Sequence, residues 1–171
     1  DDNSGNYNEP DYDEPGDDNS GSGGNTGPSY GTNNGFNSGD AAISAYLQAS
    51  VFDFDARAAM ATMPDELIDR ACQNQGITRE QLTAQLQQQL NTSKNMIGAY
   101  EYNVSIDNVV EFSSTQMQNY LKNYAGVLSG EVTAVHQYTV LVTVTVSGQS
   151  QSQSMTLVAA EYEGRWFVFG M

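Results

Sequence analysis

The chain has 171 residues, with 21 acids against six Lys and Arg and a formal net charge of −15. That balance, with no basic stripe to offset it, disfavours nucleic-acid phosphate as a partner. No apolar run approaches the ~20 residues of a membrane-spanning helix, and a single cysteine excludes an internal disulfide framework and any paired-cysteine metal knuckle.

Composition divides the chain at Asp40. Residues 1–39 hold 9 of the 16 glycines, 3 of the 4 prolines, eight acids, no Lys or Arg, and four hydrophobic residues. Asp1-Asp2-Asn3-Ser4-Gly5 recurs as Asp17-Asp18-Asn19-Ser20-Gly21. So little apolar surface cannot offset the entropy of ordering, which predicts a disordered acidic Gly/Asn/Ser-rich linker over 1–39 that contributes nothing to folding. Asp11-Tyr12-Asp13-Glu14-Pro15-Gly16 begins like a calcium loop. Pro15 and Ser22 stand where two of its ligands belong, so no calcium site is expected. Residues 40–171 carry six cations against thirteen acids and enough apolar surface for one core. A start without Met, followed by such a spacer, suggests an exported bacterial lipoprotein. The expected location is the cell surface, with the membrane reached only through a lipid anchor upstream of Asp1.

From Asp40 onward the apolar spacing is helical. Asp40 is the predicted cap of a helix with Ile43, Tyr46, Leu47 and Val51 inward. Asp55 caps a short second helix from Ala56 to Thr62. Pro64 opens a third, carrying Leu67, Ile68, Ala71 and Cys72, and Gly76 ends it. Thr78 with Gln81 forms a capping box for a fourth, whose stripe is Leu82, Leu86 and Leu90 and whose other face is rich in glutamine. The period then changes to two over Tyr100, Tyr102, Val104, Ile106, Val110 and Phe112, a half-buried strand. Ser113 or Ser114 caps a helix with Met117, Tyr120, Leu121 and Tyr124. A long strand runs from Val132 to Val146, a polar loop from Ser147, a strand from Met155 to Tyr162, and a last strand from Arg165 to Met171 after the turn Glu163-Gly164. Helices followed by an antiparallel meander with one inserted helix make the chain α+β.

That order, closing on Glu163-Gly164-Arg165-Trp166-Phe167-Val168, resembles the nuclear-transport-factor-2-like, cystatin-like cone fold of the ketosteroid isomerase-like superfamily. More narrowly, residues 40–171 resemble the single domain of small exported lipoproteins. Their first helix reads like Ala41-Ala42-Ile43-Ser44-Ala45-Tyr46-Leu47-Gln48-Ala49, followed by an aspartate such as Asp53 or Asp55 and a Met-Pro like Met63-Pro64. The resemblance implies N-terminal helices packed on the concave face of a curved antiparallel sheet of about four strands, with a pocket between them. The superfamily hosts isomerases, dehydratases, binding modules and domains with no activity, so the fold alone does not set the function.

Alternation along the long strand places His136 and Tyr138 on its apolar face, the face that would look into the cone. With Tyr46 and Trp166 they are the candidate ligand-pocket residues. Asp53, Asp55 and Tyr46 could be cast as the carboxylate base and phenol of an isomerase. Asp55 is better explained as a helix cap and Asp53 as a turn residue, so no catalytic residue is assigned. Cys72 on an apolar stripe reads as a core thiol, and Met60, Met63, Met96 and Met117 read as core filling. The expectation is a noncatalytic, surface-tethered binding or accessory domain without cofactor or metal, monomeric, whose partner is a small molecule or an envelope protein. The alternative is a small isomerase or dehydratase of the ketosteroid isomerase or polyketide-cyclase type.

Overall fold

Capping side chains decide where the helices begin. In the computed structural model, which describes residues 34–97 and 100–170, helix α1 spans Gly39–Leu47 and Ser38 is its cap, accepting from the Ala41 amide at 3.2 Å. Asp40, the predicted cap, instead lies in the first turn, where its charge suits the helix dipole. A π-helical turn follows over Gln48–Phe52, closed by Asp53 N–H on the Gln48 carbonyl. Asp55 caps α2 (Ala56–Met60), accepting from Arg57 and Ala58. Helix α3 is Asp65–Gln75, ending on Gly76 in the left-handed conformation. Helix α4 is Arg79–Ile97, and Thr78 and Gln81 exchange both bonds of its capping box. Helix α5 (Ser114–Leu121) starts from the capping box of Ser113 and Gln116 and runs into a 3-10 turn, Lys122–Tyr124.

Four strands, β1 (Glu101–Glu111), β2 (Val132–Val146), β3 (Gln149–Tyr162) and β4 (Arg165–Gly170), form one open antiparallel sheet in the order β1-β2-β3-β4. The chain is therefore α+β. Both hairpins among β2, β3 and β4 close on two-residue turns. Ser147 and Gly148 have φ of 52° and 79°, and Glu163 and Gly164 have 50° and 73°, as turns matching strand twist require. The first of these turns corrects the predicted loop after Val146. Gln149 to Ser154 are strand, paired residue for residue with Leu141 to Val146. Thr143 bonds Ser152 at 2.8 Å and Thr145 bonds Ser150 at 2.9 Å across the pair. A run of Gln and Ser has no apolar period, so only the partner strand reveals it.

Register assigns the faces, because directly opposed residues in an antiparallel pair project to the same side. One face carries Val104, Val142, Val140, Tyr138, Leu157, Ala159 and Val168, which form one core with Ile43, Tyr46 and Leu47 of α1. The other carries Val135, Val158, Ala160, Tyr162, Phe167 and Phe169. They form a second core with Met117, Tyr120 and Tyr124 from α5 and its following turn. Strand β1 serves both cores because it is bulged: Ile106 opposes Val140 and Asn108 opposes Thr139, leaving Asp107 extra. The bulge moves Val110 and Phe112 to the face opposite Tyr102, Val104 and Ile106, which the uniform alternation read from sequence does not anticipate. Strand β1 is also more open than predicted: Ile106, Val109 and Val110 are 36%, 42% and 41% exposed. It is an edge strand, and the bulge together with Glu101 and Glu111 at its ends discourages further pairing.

The opposite edge corrects the domain boundary. Phe36 pairs with Trp166 through two backbone bonds of 2.8 and 2.9 Å. The Arg165 guanidinium donates to the Asn34 and Gly35 carbonyls and to Asn37 Oδ1. Gly35 has φ of 64°, and a Cβ there would lie 2.7 Å from Arg165 Cβ and from the Phe167 ring. Residues 34–39, predicted as linker, are thus built into the fold, and the boundary placed at Asp40 moves back to Asn34 at least. The rest of the linker, including Asp11 to Gly16, lies outside the described residues.

A third, smaller core of Met60, Ile68 and Cys72, flanked by Leu82 and Leu86, joins α2, α3 and α4. Gln87 on α4 locks this unit to the turn before α2. Its amide donates to the Phe54 carbonyl at 2.8 Å and accepts from the Ala56 N–H at 3.0 Å. Phe54 is buried at a left-handed φ of 54°, a conformation costly for a bulky side chain, and these bonds help to hold it. Replacing Gln87 by Ala is expected to cost about 1 kcal/mol, from two part-buried bonds whose backbone partners regain some solvation. Chemical denaturation checks it, and a loss below about 0.3 kcal/mol would mean the turn holds itself.

Candidate binding cleft

The four residues proposed from sequence occupy one side of the sheet. His136 and Tyr138 follow each other on the face covered by α1, with ring centroids 6.3 Å apart. The His136 ring lies 4.6 Å from that of Trp166. Tyr46 enters the same core from α1. The structure so brings His136, Tyr138 and Trp166 into contact, with Tyr46 in the same packed layer. Tyr138 is fully buried and Tyr46 nearly so, while His136 and Trp166 are half-buried. The Tyr138 hydroxyl makes no well-formed hydrogen bond, has the Asp40 carboxylate near it, and sits against Gly39, where an added Cβ would be 2.3 Å away. Burial, and after it the Asp40 carboxylate, pushes the Tyr138 phenol above its ordinary value. Burial does the same to Tyr46, partly opposed by Ser50. Neither phenol gives up a proton near neutrality.

The carboxylates do not converge on these rings. Asp53 accepts from the Gln48 amide at 2.8 Å at the exposed end of the π-helical turn, and Asp55 is occupied as the α2 cap. Cys72 is buried in the third core. Among the described residues, no three His, Cys, Asp or Glu side chains cluster as a metal ion would require. No helix of the described residues is long and apolar enough to cross a membrane.

Among the described residues, an open cleft lies between the α3–α4 pair and the chain that follows α5. A cleft of about 670 Å³ has a floor of Met60, Met63, Leu67, Ile68, Leu82, Leu86, Val127 and Phe169. Its rim is of amides, Asn74, Gln75, Gln85, Gln89 and Asn123, with one charged group, Arg70. This volume and this mixture of apolar wall with few polar groups suit a small-molecule site. Tyr124 forms one wall, where its hydroxyl donates to the Phe169 carbonyl at 2.9 Å and meets Tyr120 Oη at 2.9 Å. The Tyr120 phenol is held well above its ordinary value by burial first and by this bond second. The sequence signal for the cleft was the α4 stripe of Leu82 and Leu86. They stay half-buried because the cleft leaves one side of them uncovered. Met60 and Met63, read as core filling, are floor residues as well.

Three other depressions are less suited. One of about 650 Å³ is lined by Asp55, Arg57, Arg79, Glu80 and Gln87, of which Asp55, Arg79 and Gln87 are already engaged as a cap, an ion pair and a turn clamp. One of about 350 Å³ lies between Leu47, Phe52, Val104 and Ile106, and one of about 240 Å³ between Pro64, Glu66, Tyr162 and Arg165. None of the four depressions is lined by His136, Tyr138, Tyr46 or Trp166.

One ion cluster fixes the α3–α4 pair that frames the cleft. Arg79 donates to Asp69 at 2.7 Å and to Asp65 at 2.5 Å. The Arg79 bond, more than any other influence, holds the Asp69 carboxyl below its ordinary value. A depressed carboxyl stabilises the fold above its unfolded pKa, and the contribution is lost as the pH falls through its folded value. The stability difference between the wild type and Arg79→Ala is therefore expected to shrink on acidification from about pH 5 to pH 3. A difference constant over that range would show that Arg79 acts through packing alone. No family model, no curated protein and no solved structure matches this chain.

Proposed function

We propose that this chain is a noncatalytic binding domain that holds an apolar small molecule in the cleft between α3, α4 and residues 123–127. The observation that carries the reading is the cleft itself: about 670 Å³ of apolar floor with an amide rim. Its lining includes no carboxylate, histidine or thiol, and its one phenol, Tyr124, is already donating to a backbone carbonyl. We further propose that the sheet curves as in the nuclear-transport-factor-2-like cone. The element order and the closing Gly164-Arg165-Trp166 support this. The acidic, glycine-rich composition of the first 33 residues supports a tether on an exported bacterial lipoprotein, on which the domain would serve at the cell surface as a carrier or accessory to an envelope protein. Reading the ~25 codons upstream of Asp1 tests the compartment. A hydrophobic stretch ending in a small-residue–cysteine site supports it, and an uninterrupted polar sequence removes it.

Mass spectrometry of molecules extracted from the purified chain tests the binding reading. An apolar compound recovered with the wild type is expected to be depleted in Leu86→Gln, which puts an amide on the cleft floor. Recovery unchanged by that substitution would place the ligand elsewhere. The isomerase alternative needs a carboxylate beside a phenol in one open cavity, and Asp53, Asp55 and Tyr46 are each otherwise engaged.

A further inference from the structure

With so few cations in the sequence, what each one meets is informative. Arg79 is paired with Asp65 and Asp69. Arg165 is spent on the 34–37 segment, and Lys122 donates to Asn119. Lys94 sits 5.8 Å from the centre of the Phe54 ring. Among the described residues, the side chains of Arg57 and Arg70 alone meet no partner. Arg57 opens onto a depression that also holds Asp55 and Glu80. Arg70 opens onto the cleft, whose lining contains no Asp or Glu at all.

The acid that helix α3 places beside Arg70 is drawn away from it. Glu66, one helical turn before it and the usual partner for a helix pair, accepts from Tyr162 Oη at 2.8 Å and from Ser129 at 3.1 Å. Asp69 and Asp65 face Arg79. A free guanidinium at the mouth of an acid-free apolar cleft, in a chain of net charge −15, is complementary to one kind of ligand. We propose that the occupant of the cleft is a single-chain amphiphile, its tail on the floor of Met63, Leu67, Leu82 and Leu86 and its anionic head on Arg70. The Asn74 and Asn123 amides on the rim offer further donors to the head group. This inference rests on the binding reading above and adds the charge of the ligand.

The test uses the full chain and four ten-carbon probes below their micellar concentrations: decanoate, decyl phosphate, decanol and decyltrimethylammonium. Affinity is measured by calorimetry, and the Met60 and Met63 methyl resonances report where each probe sits. Decanoate and decyl phosphate are expected to bind about fivefold to tenfold tighter than decanol, the gain of one charge-assisted contact at a partly wet site. The gain should vanish in Arg70→Gln and persist in part in Arg70→Lys. Arg70 is exposed and unpartnered, so neither substitution threatens folding. Lengthening the tail by one methylene should tighten binding about fourfold while floor remains.

Equal affinity for decanoate and decanol, with Met60 and Met63 perturbed by both, overturns the anionic head and leaves the binding reading standing. Tighter binding of the ammonium probe overturns it as well. Failure of every probe to move the Met60 and Met63 resonances overturns both proposals together. A preference between the two anions identifies the head as a carboxylate or a phosphate and supports the proposal either way.

Discussion

Replacing Gly39 by Ala is expected to cost about 1–3 kcal/mol, the range for forcing an extra group into a filled core. The new Cβ would lie 2.3 Å from Tyr138 Oη and 3.0 Å from Trp166 Cε3. Tyr138 is fully buried between α1 and the sheet, so its ring has no free direction in which to retreat. Gly39 is already inside α1, and the helix cannot withdraw without opening the first core. Alanine's better helix propensity offsets part of the clash, by less than about 1 kcal/mol. The hydroxyl makes the result separable. Because Tyr138 Oη is buried with no well-formed hydrogen bond and only the Asp40 carboxylate beside it, Tyr138→Phe alone is expected to change stability by no more than about 1 kcal/mol. In the double variant the nearest clashing atom is gone, so the cost of Gly39→Ala should fall by at least half. Denaturant titration of the four proteins closes the cycle. Additive effects would show that the clash is not with the hydroxyl, and a Tyr138→Phe variant that loses as much as Gly39→Ala would show that the hydroxyl is bonded.

Starting the chain at Asp40 instead of Asn34 is expected to cost about 1–3 kcal/mol and to lower the thermal midpoint by about 3–10 °C. The loss comprises the Phe36–Trp166 pairing, three bonds from Arg165, the Ser38 cap and the packing of Phe36 on the first core. It is smaller than the sum of those contacts because six residues no longer have to be ordered, at about 1–2 kcal/mol each. Arg165→Ala in the full chain should recover a part of the same loss, and Gly35→Ala, which meets both the strained φ and the Phe167 ring, a larger part. Neither can exceed the truncation by much, since a segment at the end of the domain can undock to escape a clash. A midpoint unchanged within about a degree would restore the boundary read from sequence.

Most element boundaries were legible because they are local chemistry. Asp55, Gly76, the Thr78–Gln81 pair and Ser113 act within four residues of where they sit, and the structure uses each as a cap or stop. Ser38 was missed as a cap only because the compositional boundary had been drawn just after it. The strands β2 and β4 and the Glu163–Gly164 turn were legible for the same reason, since alternation and a left-handed pair are written in consecutive residues.

Tertiary structure decided what a neighbour distant in sequence supplies. Gln149 to Ser154 have no apolar face of their own and become strand because Leu141 to Val146 offer a ladder, with Thr–Ser bonds across it. The bulge at Asp107 shows only in the pairing with β2, and it lets β1 serve cores on both sides of the sheet. Residues 34–39 look like linker until Arg165, about 130 positions later, provides donors for their carbonyls. The same holds for the site. Periodicity placed His136 and Tyr138 on the apolar face, but whether that face encloses space depends on α1, which packs closely against Tyr138. The cleft that is open was invisible in any one segment. Its floor is drawn from α2, α3, α4, β4 and the chain after α5, and a cavity is a property of how surfaces fail to meet, which no local pattern encodes.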